Sequence, residues 1–228
     1  MRNIVIVGGS KGIGNAILTS QLNLNNKVYN ISRTAPEIKH PNLTHYNCDI
    51  LNDELPEIEL VDTLIYCPGS INLKPISTLT IDDFRTDFEI NVIGAVKTIK
   101  KYLKPLKNGN NPNILLFSTV AAKLGMPYHA SVAASKSAID GLTKSLGAEL
   151  APTIRVNAIA PTVTDTDLAS KILRNDQMKE VIAEKHPLKR YLNTSDVAAM
   201  ADFLISEKSS AISGQIFNLD CGIVTFKI

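Results

Sequence analysis

The sequence predicts an α/β fold: a single domain over residues 1–228, built on a doubly wound sheet of seven mostly parallel strands with helices on both faces. Short β-branched runs alternate with longer helical patterns along the chain, an order that is typical of parallel sheets. The strand-like runs are largely apolar, which indicates strands buried on both faces. Because crossovers between parallel strands are right-handed, successive units wind onto both sides of the sheet.

Seven short runs rich in β-branched residues are predicted as strands, and turn-forming residues separate them from the helical patterns. The predicted strands are residues 4–7, 28–31, 43–48, 63–67, 114–117, 155–159 and 215–219. Their number and their spacing fit one α/β domain, and the length of 228 residues agrees with this.

Helical periodicity fills most of the gaps between these strands. The predicted helices are residues 12–24, 81–103, 127–150 and 195–205. Residues 106–113, rich in Asn and Gly, are predicted as a turn before a strand. Residues 162–187 show no strand pattern, and we predict one or two short polar helices there that form a lid over a site.

Composition and charge narrow the class of protein. The net charge is +2, from 24 Lys and Arg against 22 Asp and Glu, which argues against a nucleic-acid partner. No apolar run is long enough to span a membrane, and the chain opens on a strand pattern rather than a signal peptide. The three cysteines are far apart and lack metal-ligand spacing. We therefore expect a cytoplasmic protein without a metal site.

A glycine-rich loop joins the first predicted strand to the first predicted helix. Glycines let the backbone turn tightly and approach a pyrophosphate, and the free N–H groups of the helix start bind the anion. The strand–turn–helix context makes this a specific signal for a Rossmann-type dinucleotide site. The predicted phosphate-binding residues are Gly8, Ser10, Lys11, Gly12, Ile13 and Gly14.

The end of the second predicted strand indicates which dinucleotide binds. A carboxylate there would bind the ribose 2′-hydroxyl of NAD(H), but the chain has Ser32 and Arg33 instead. Arg33, together with Lys11 in the glycine-rich loop, offers cations to a 2′-phosphate. The sequence therefore predicts NADP(H) as the cofactor.

The glycine spacing and several later motifs together resemble the short-chain dehydrogenase/reductase family over nearly the whole chain. The matching motifs, in chain order, are Gly-x-x-x-Gly-Ile-Gly from Gly8, Asp49-Ile50, Asn91, Ala134-Ser135-Lys136, Arg155–Pro161, Gly214-Gln215 and Asp220-Cys221-Gly222. Motifs that recur in the same order are far more specific than any one of them. The resemblance implies a nicotinamide cofactor and an oxidoreductase activity.

The resemblance also implies residues that would contact the rest of the cofactor. Asp49 and Ile50 would lie beside the adenine, and Pro161, Val163 and Thr166 would lie around the nicotinamide carboxamide. The further implied cofactor residues are Ser32, Arg33, Cys67, Pro68, Gly69, Asn91 and Lys136. The segment around Gly69 departs from the family's Asn-Asn-Ala-Gly, so the side-chain hydrogen bond of the second Asn is lost at Cys67.

Three parts of the family's catalytic machinery are recognisable. Lys136 matches the lysine that binds the nicotinamide ribose and lowers the pKa of a tyrosine, Asn91 matches the asparagine that holds a relay water, and Thr119 matches the hydroxyl that polarises the substrate oxygen. The tyrosine itself, four residues before the lysine, is replaced by Val132. Valine neither gives nor takes a proton, so the usual mechanism does not run unchanged.

Two side chains are candidates to replace the tyrosine. His129 is seven residues before Lys136, and a helix that already exists at Pro127 would place it on the same stripe as Lys136. Histidine titrates near neutral pH and is a competent general acid. Tyr128 enters the pocket only if this segment is a loop. A third reading leaves His129 as an ordinary polar residue without a catalytic role.

Two functions therefore stay open. The first is an NADP(H)-dependent oxidoreductase with a non-standard proton donor. It passes a hydride between the nicotinamide and the carbonyl or alcohol group of a small-molecule substrate, with an activated C=C bond as the alternative acceptor. The second is a non-catalytic NADP(H)-binding sensor or interaction protein, which the replacement at Val132 favours. The resemblance also implies a homodimer or homotetramer that pairs through helices 81–103 and 127–150.

Overall fold

The computed structural model describes residues 1–226, and its centre is a sheet of seven strands. The strands are β1 (Asn3–Val7), β2 (Lys27–Ser32), β3 (Leu43–Asn47), β4 (Thr63–Tyr66), β5 (Asn113–Phe117), β6 (Arg155–Pro161) and β7 (Ile216–Leu219). Each predicted strand is present, with its ends shifted by at most two residues. The predicted domain extends to residue 228, and its last two residues lie outside the described part.

The strands lie in the order β3-β2-β1-β4-β5-β6-β7, and all six pairs are parallel. The sheet is therefore wholly parallel, and the predicted doubly wound fold is confirmed. Strand order reverses between β1 and β4, so the loops that follow these two strands diverge. Such a switch point opens a crevice at the carboxyl ends of the strands, where ligands bind in this class of fold.

The helices cover both faces of the sheet. They are α1 (Gly12–Asn23), α2 (Ile81–Phe88), α3 (Gly94–Lys107), α4 (Ala130–Glu149), α5 (Asp176–Lys185) and α6 (Thr194–Ile205). One core joins α3 and α4 to the sheet through residues such as Ile99, Tyr102 and Ile139. A second core, on the opposite face, joins α1 and α6 through residues such as Ile17 and Val197.

The predicted helix over residues 81–103 is not one continuous α-helix. A π-helical turn over Glu89–Ile93 separates α2 from α3, and α3 continues to Lys107 with Pro105 inside its last turns. The predicted turn over residues 106–113 therefore starts two residues late. Lys104 and Lys107 complement the negative end of the α3 dipole, which offsets the lost N–H of Pro105.

The predicted helix over residues 127–150 begins three residues late, at Ala130. Tyr128 has a φ of +68°, in the left-handed region, and so cannot belong to a right-handed helix. His129 is the N-cap, with its carbonyl accepting the first helical hydrogen bond from Ala133. The assumption of a helix at Pro127 was therefore wrong.

The segment predicted as a lid contains two short helical pieces, as expected. They are a 3₁₀ turn over Asp167–Ala169 and α5. An isolated bridge joins Thr164, near the start of this segment, to Leu192, which follows the segment. No helix within residues 1–226 has the length and apolarity needed to cross a bilayer.

Candidate active site

The glycine-rich loop has a geometry that only glycine fits. Gly8 and Gly12 have φ values of +78° and +55°, a region that side chains rarely adopt. A Cβ added at Gly14 would overlap the carbonyl oxygen of Gly8. The buried Asn30 on β2 supports the loop, since its Oδ1 accepts a hydrogen bond of 2.9 Å from the backbone N–H of Gly9.

The start of α1 is suited to an anion. Its N-cap residue, Lys11, makes no side-chain capping bond, and the first turn contains no acidic residue. The first N–H groups of the helix therefore have no side-chain acceptor, and they carry the positive end of the helix dipole. Together with the glycine cradle, this end fits a dinucleotide pyrophosphate.

Positively charged and polar side chains lie where the glycine-rich loop meets the turn after β2. Arg33 is exposed after β2, and Lys11 lies 3.5 Å from Asp167 in an exposed ion pair. The hydroxyl of Ser10 accepts a hydrogen bond from Thr34. Ser32 is buried, and its hydroxyl donates to the carbonyl of Thr34, so this side chain shapes the turn after β2.

The Asp49-Ile50 pair lies at the end of β3, where it closes a turn. Hydrogen bonds from Leu51 and Asn52 and the nearby charge of Arg33 lower the pKa of Asp49, against the opposing effect of burial. Ile50 is buried in the core on the α3 and α4 side. Both residues therefore lie next to the second and third strands. The carboxylate of Asp49 accepts hydrogen bonds from the turn that follows it.

One pocket at the carboxyl ends of β4, β5 and β6 brings distant parts of the sequence together. It contains nine of the predicted site residues, which are Ile13, Cys67, Gly69, Thr119, His129, Lys136, Pro161, Val163 and Thr166. Pro68 packs against Gly8 and so joins this pocket to the glycine-rich loop. The remaining walls are mostly apolar, which is typical of small-molecule sites.

Lys136 lies at the bottom of the pocket and is 8% exposed. Its Nζ donates a 2.9 Å hydrogen bond to the carbonyl of Phe117. Burial lowers the pKa of Lys136 to about 8, although Cys67 and Asp87 raise it. Burial also raises the pKa of Cys67 to about 12. Burial therefore makes this ammonium group easier to deprotonate than that of an exposed lysine.

Asn91 lies in the π-helical turn, a distortion that is frequent at functional positions. Its Nδ2 donates to Ser135 at 3.0 Å, and its Oδ1 accepts from the backbone N–H of Ser70 at 3.3 Å. A Cβ added at Gly69 would lie 3.4 Å from the Asn91 Oδ1 and 3.7 Å from the Lys136 Nζ. The Asn91 amide and the Lys136 ammonium group therefore both lie close to Gly69, in the chain turn after β4.

Thr119 and His129 lie near the two ends of the segment that leads from β5 to α4. Thr119 caps a 3₁₀ turn, where its hydroxyl accepts from the N–H of Ala121. His129 is half-buried in the pocket wall, and its Nδ1 lies 2.7 Å from the carbonyl of Pro127. Since a carbonyl only accepts, Nδ1 carries a proton and Nε2 is the nitrogen left for a ligand.

Tyr128 lies outside the lining of this pocket, whereas Val132 belongs to it. Tyr128 is 59% exposed, and it is not among the residues that line the described pocket. Val132 lines the pocket and is buried. The apolar side chain at the tyrosine position is therefore part of the pocket wall, where it meets the same space as Lys136.

Sequence reasoning missed two polar features beside the pocket. Asp87 on α2 is fully buried and bonded to Ser70, which lines the pocket. Thr162, at the end of β6, lies 2.7 Å from the Nε2 of the buried His186 that follows α5. A charged residue at a buried position of an otherwise amphipathic helix was the available signal for Asp87. Nothing in the sequence pairs Thr162 with His186.

Comparison with known proteins agrees with this geometry. The sequence model of the family described as enoyl-(acyl carrier protein) reductase matches residues 49–224. The 3-oxoacyl-(acyl-carrier-protein) reductase FabG of Rickettsia bellii is 29% identical over 233 aligned positions, and the match covers 96% of this chain and 95% of that protein. The L-xylulose reductase of Bos taurus is 26% identical over 98% of this chain and 96% of that protein.

Solved structures show the same architecture. A structure of ElxO with NADP bound has a TM-score of 0.86 at 25% identity, and the match covers 99% of this chain and all of that one. The aldohexose dehydrogenase of Thermoplasma acidophilum has a TM-score of 0.90 at 24% identity, with coverage of 99% and 95%, and this likeness concerns the fold.

The fold, the glycine-rich loop and the pocket define a nucleotide-binding α/β protein of the oxidoreductase type. This chain belongs to the short-chain dehydrogenase/reductase family. The two relatives described above match almost the full length of this chain, and both are reductases by name.

Proposed function

We propose that this chain is an NADP(H)-dependent oxidoreductase that transfers a hydride between the nicotinamide and a carbonyl or alcohol group of a small molecule. The observation that supports this most is the single pocket in which Thr119, His129 and Lys136 meet Ile13 and Thr166 from the glycine-loop side. A chain freed from catalysis would have no need to keep both the cofactor loop and this polar set together.

The side chains of the pocket have separate roles in this proposal. Bound NADPH supplies the hydride. Lys136 binds the nicotinamide ribose, Asn91 holds the chain turn after β4 and a relay water, and Thr119 donates a hydrogen bond to the substrate oxygen. The one proton that carbonyl reduction needs besides the hydride comes from His129, because its Nδ1 is held by Pro127 and only Nε2 is left to gain and release a proton.

The preference for NADP(H) over NAD(H) rests on charge. No carboxylate follows β2, where one would bind a ribose 2′-hydroxyl. Arg33 after β2 and Lys11 within the glycine-rich loop are exposed cations, and a 2′-phosphate would draw Lys11 away from its weak surface pair with Asp167.

The alternative function is a non-catalytic NADP(H)-binding sensor or interaction protein. The buried Val132 favours it, because no hydroxyl replaces the tyrosine at that position. The two functions differ in turnover but not in cofactor binding, so both must be measured.

The test is the loss of NADPH absorbance with a panel of ketones, aldehydes and enones, together with calorimetric titration of NADPH. We expect turnover on at least one compound. We expect His129→Ala to lower kcat about 100-fold or more, since a positioned general acid contributes about 10²–10⁴-fold, while Tyr128→Phe changes kcat less than about twofold because Tyr128 lies outside the pocket.

Each result assigns one function. NADPH binding without turnover on any compound supports the sensor and rejects the oxidoreductase. Turnover that survives His129→Ala but falls in Tyr128→Phe moves the proton donor to Tyr128 and rejects the role of His129.

We also propose that the protein is a cytoplasmic homodimer or homotetramer. Ile81 and Phe88 on α2 are exposed apolar residues, and they border a shallow groove shared with Ala134 on α4. Light scattering should give at least twice the mass of the chain, and Phe88→Asp should reduce it to the monomer mass.

The proposed cytoplasmic location is supported by the three free cysteines, which fit a reducing compartment.

A further inference from the structure

A buried carboxylate stands directly behind the pocket wall. Asp87, near the end of α2, is fully buried. Its Oδ2 has no hydrogen-bond partner among residues 1–226. An unpaired buried polar atom costs about 1–3 kcal/mol, and such an atom in a native structure calls for an explanation. Its position beside the candidate active site suggests one.

The other carboxylate oxygen of Asp87 accepts two hydrogen bonds. Its Oδ1 accepts a 2.6 Å hydrogen bond from the Ser70 hydroxyl and a 3.0 Å hydrogen bond from the Asn72 amide. A distance of 2.6 Å is typical of a hydroxyl that donates to a charged carboxylate. Ser70 is half-buried and lines the pocket, so Asp87 acts on the pocket through Ser70.

This arrangement fixes what Ser70 can offer to a ligand. A carboxylate accepts hydrogen bonds and donates none, so the single hydroxyl proton of Ser70 is committed to Asp87. The Nδ2 of Asn91 lies 3.5 Å from the same oxygen, a longer contact than its 3.0 Å hydrogen bond to Ser135. The Ser70 oxygen therefore keeps the capacity to accept a hydrogen bond and has no donor left.

We infer that Ser70, oriented by Asp87, is a specificity-determining hydrogen-bond acceptor of the pocket, and that the substrate is an apolar molecule with an O–H or N–H group that donates to Ser70. The neighbouring walls are apolar, with Ile71, Val120 and Met126 among them. A ligand that offers only an acceptor leaves this position unmatched, which disfavours its binding. The inference rests on the proposed function in taking this pocket as the substrate site.

Asp87 has a second effect that the test must separate from the first. Its charge raises the pKa of Lys136, against the larger effect of burial. A change at Asp87 therefore alters the electrostatics of the whole pocket, including its affinity for NADPH. A ratio of affinities for two ligands in the same variant removes any effect that both ligands share.

Benzyl alcohol and anisole are isomers of one formula that make such a pair, because the alcohol both donates and accepts whereas the ether only accepts. Their dissociation constants are measured by ligand-observed NMR with the protein saturated with NADPH, so that the alcohol cannot be oxidised. We expect Ser70→Ala to lower the preference for benzyl alcohol over anisole about three- to tenfold, the range of one hydrogen bond.

Two variants of Asp87 separate orientation from mere structure. Asp87→Val frees the Ser70 proton, so Ser70 becomes able to donate to anisole, and the preference for the alcohol should fall as in Ser70→Ala. Asp87→Asn keeps an acceptor oxygen for Ser70 and should retain the preference. If Asp87→Val does not fold in thermal unfolding, Ser70→Ala and Asp87→Asn still provide the comparison.

An equal preference in the wild type and in Ser70→Ala overturns the inference, and so does a loaded protein that binds neither compound. The measurement needs no turnover. A preserved preference without activity in the carbonyl panel rejects the oxidoreductase and leaves the role of Ser70 intact, whereas activity without the preference does the reverse.

Discussion

Two strand-to-helix junctions of this molecule are built in different ways. At the β1–α1 junction the backbone forms the site, with Gly8 and Gly12 at positive φ and a helix that starts without a side-chain cap. At the β5–α4 junction the side chains form it, with Thr119 on a 3₁₀ turn and His129 as the N-cap. In the proposed function, the first junction binds the pyrophosphate of the cofactor, and the second shapes the substrate pocket.

The difference explains why one junction keeps its family pattern and the other departs from it. Backbone amides bind phosphate in the same way whatever the substrate, and only glycine permits their approach. Side chains at the second junction must match a particular substrate and its chemistry, so Val132 can stand where the resemblance implies a tyrosine without any change of fold. The contrast predicts that substitutions at the two junctions fail in different ways.

The largest effect is expected from Gly14→Ala at the first junction. The new Cβ would overlap the carbonyl oxygen of Gly8, and backbone cannot move aside as a side chain can. We expect a loss of about 3 kcal/mol in the free energy of unfolding, the upper end of overpacking costs, and NADPH binding about 100-fold weaker. Urea unfolding and calorimetric titration measure the two effects.

Gly141→Ala is the matched control, because no heavy atom lies within 4 Å of a Cβ added at this helical glycine. It should stabilise α4 by about 0.5–1 kcal/mol, since alanine favours a helix over glycine. Unchanged NADPH affinity in Gly14→Ala would show that the first junction does not work through close backbone packing.

The sequence predicts the first junction well because its physical requirement restricts residue type. The apolar runs of the strands are equally restrictive, since both faces of a parallel sheet are buried, and all seven strands follow from them. The site on the cofactor side, from Gly8 to Gly14, is therefore readable from local pattern and order alone.

The second junction is less readable because its conformation depends on tertiary contacts. The left-handed φ of Tyr128 ends the helical pattern one residue before His129, yet nothing local in the sequence demands it. The π-helical turn at Asn91 and the bond between Ser70 and Asp87 join segments 17 or more residues apart. Hydrophobic periodicity shows which residues share a face of one helix or strand. It does not show which distant segments contact each other.

A smaller effect is expected from the buried Lys136 at the second junction. Burial lowers its pKa from 10.5 to about 8, so the unfolded chain holds this proton more tightly than the folded protein. The penalty is fully present below pH of about 8 and is relieved as pH rises towards 10.5. Lys136→Met should therefore be more stable than the wild type by up to about 3 kcal/mol at pH 7.5, with the difference shrinking towards pH 10.5.

Urea unfolding without NADPH, repeated between pH 7.5 and 10.5, measures this difference. Lys144→Met, an exposed lysine on the same helix, should show no pH-dependent difference from the wild type. Stability curves of Lys136→Met and the wild type that run parallel across this range would mean that the lysine is not destabilised by its pocket.

The smallest effect is expected at the rim of the first junction, where the proposed function has charge rather than backbone fit select the cofactor. Arg33→Ala should weaken NADPH binding about tenfold and leave NADH binding nearly unchanged, because a charge-assisted bond to a 2′-phosphate is worth about 1.5–3 kcal/mol and an exposed arginine realises the lower part of that range. Lys39→Ala, which removes another exposed cation in the same β2–β3 connection, is the control and should change neither affinity.

The effect of Arg33→Ala on NADPH affinity should shrink when salt is raised from about 0.05 M to about 1 M, since screening weakens exposed charge pairs. An equal loss of affinity for both dinucleotides in Arg33→Ala would assign this side chain to the shared adenosine and remove the basis for NADP(H) preference.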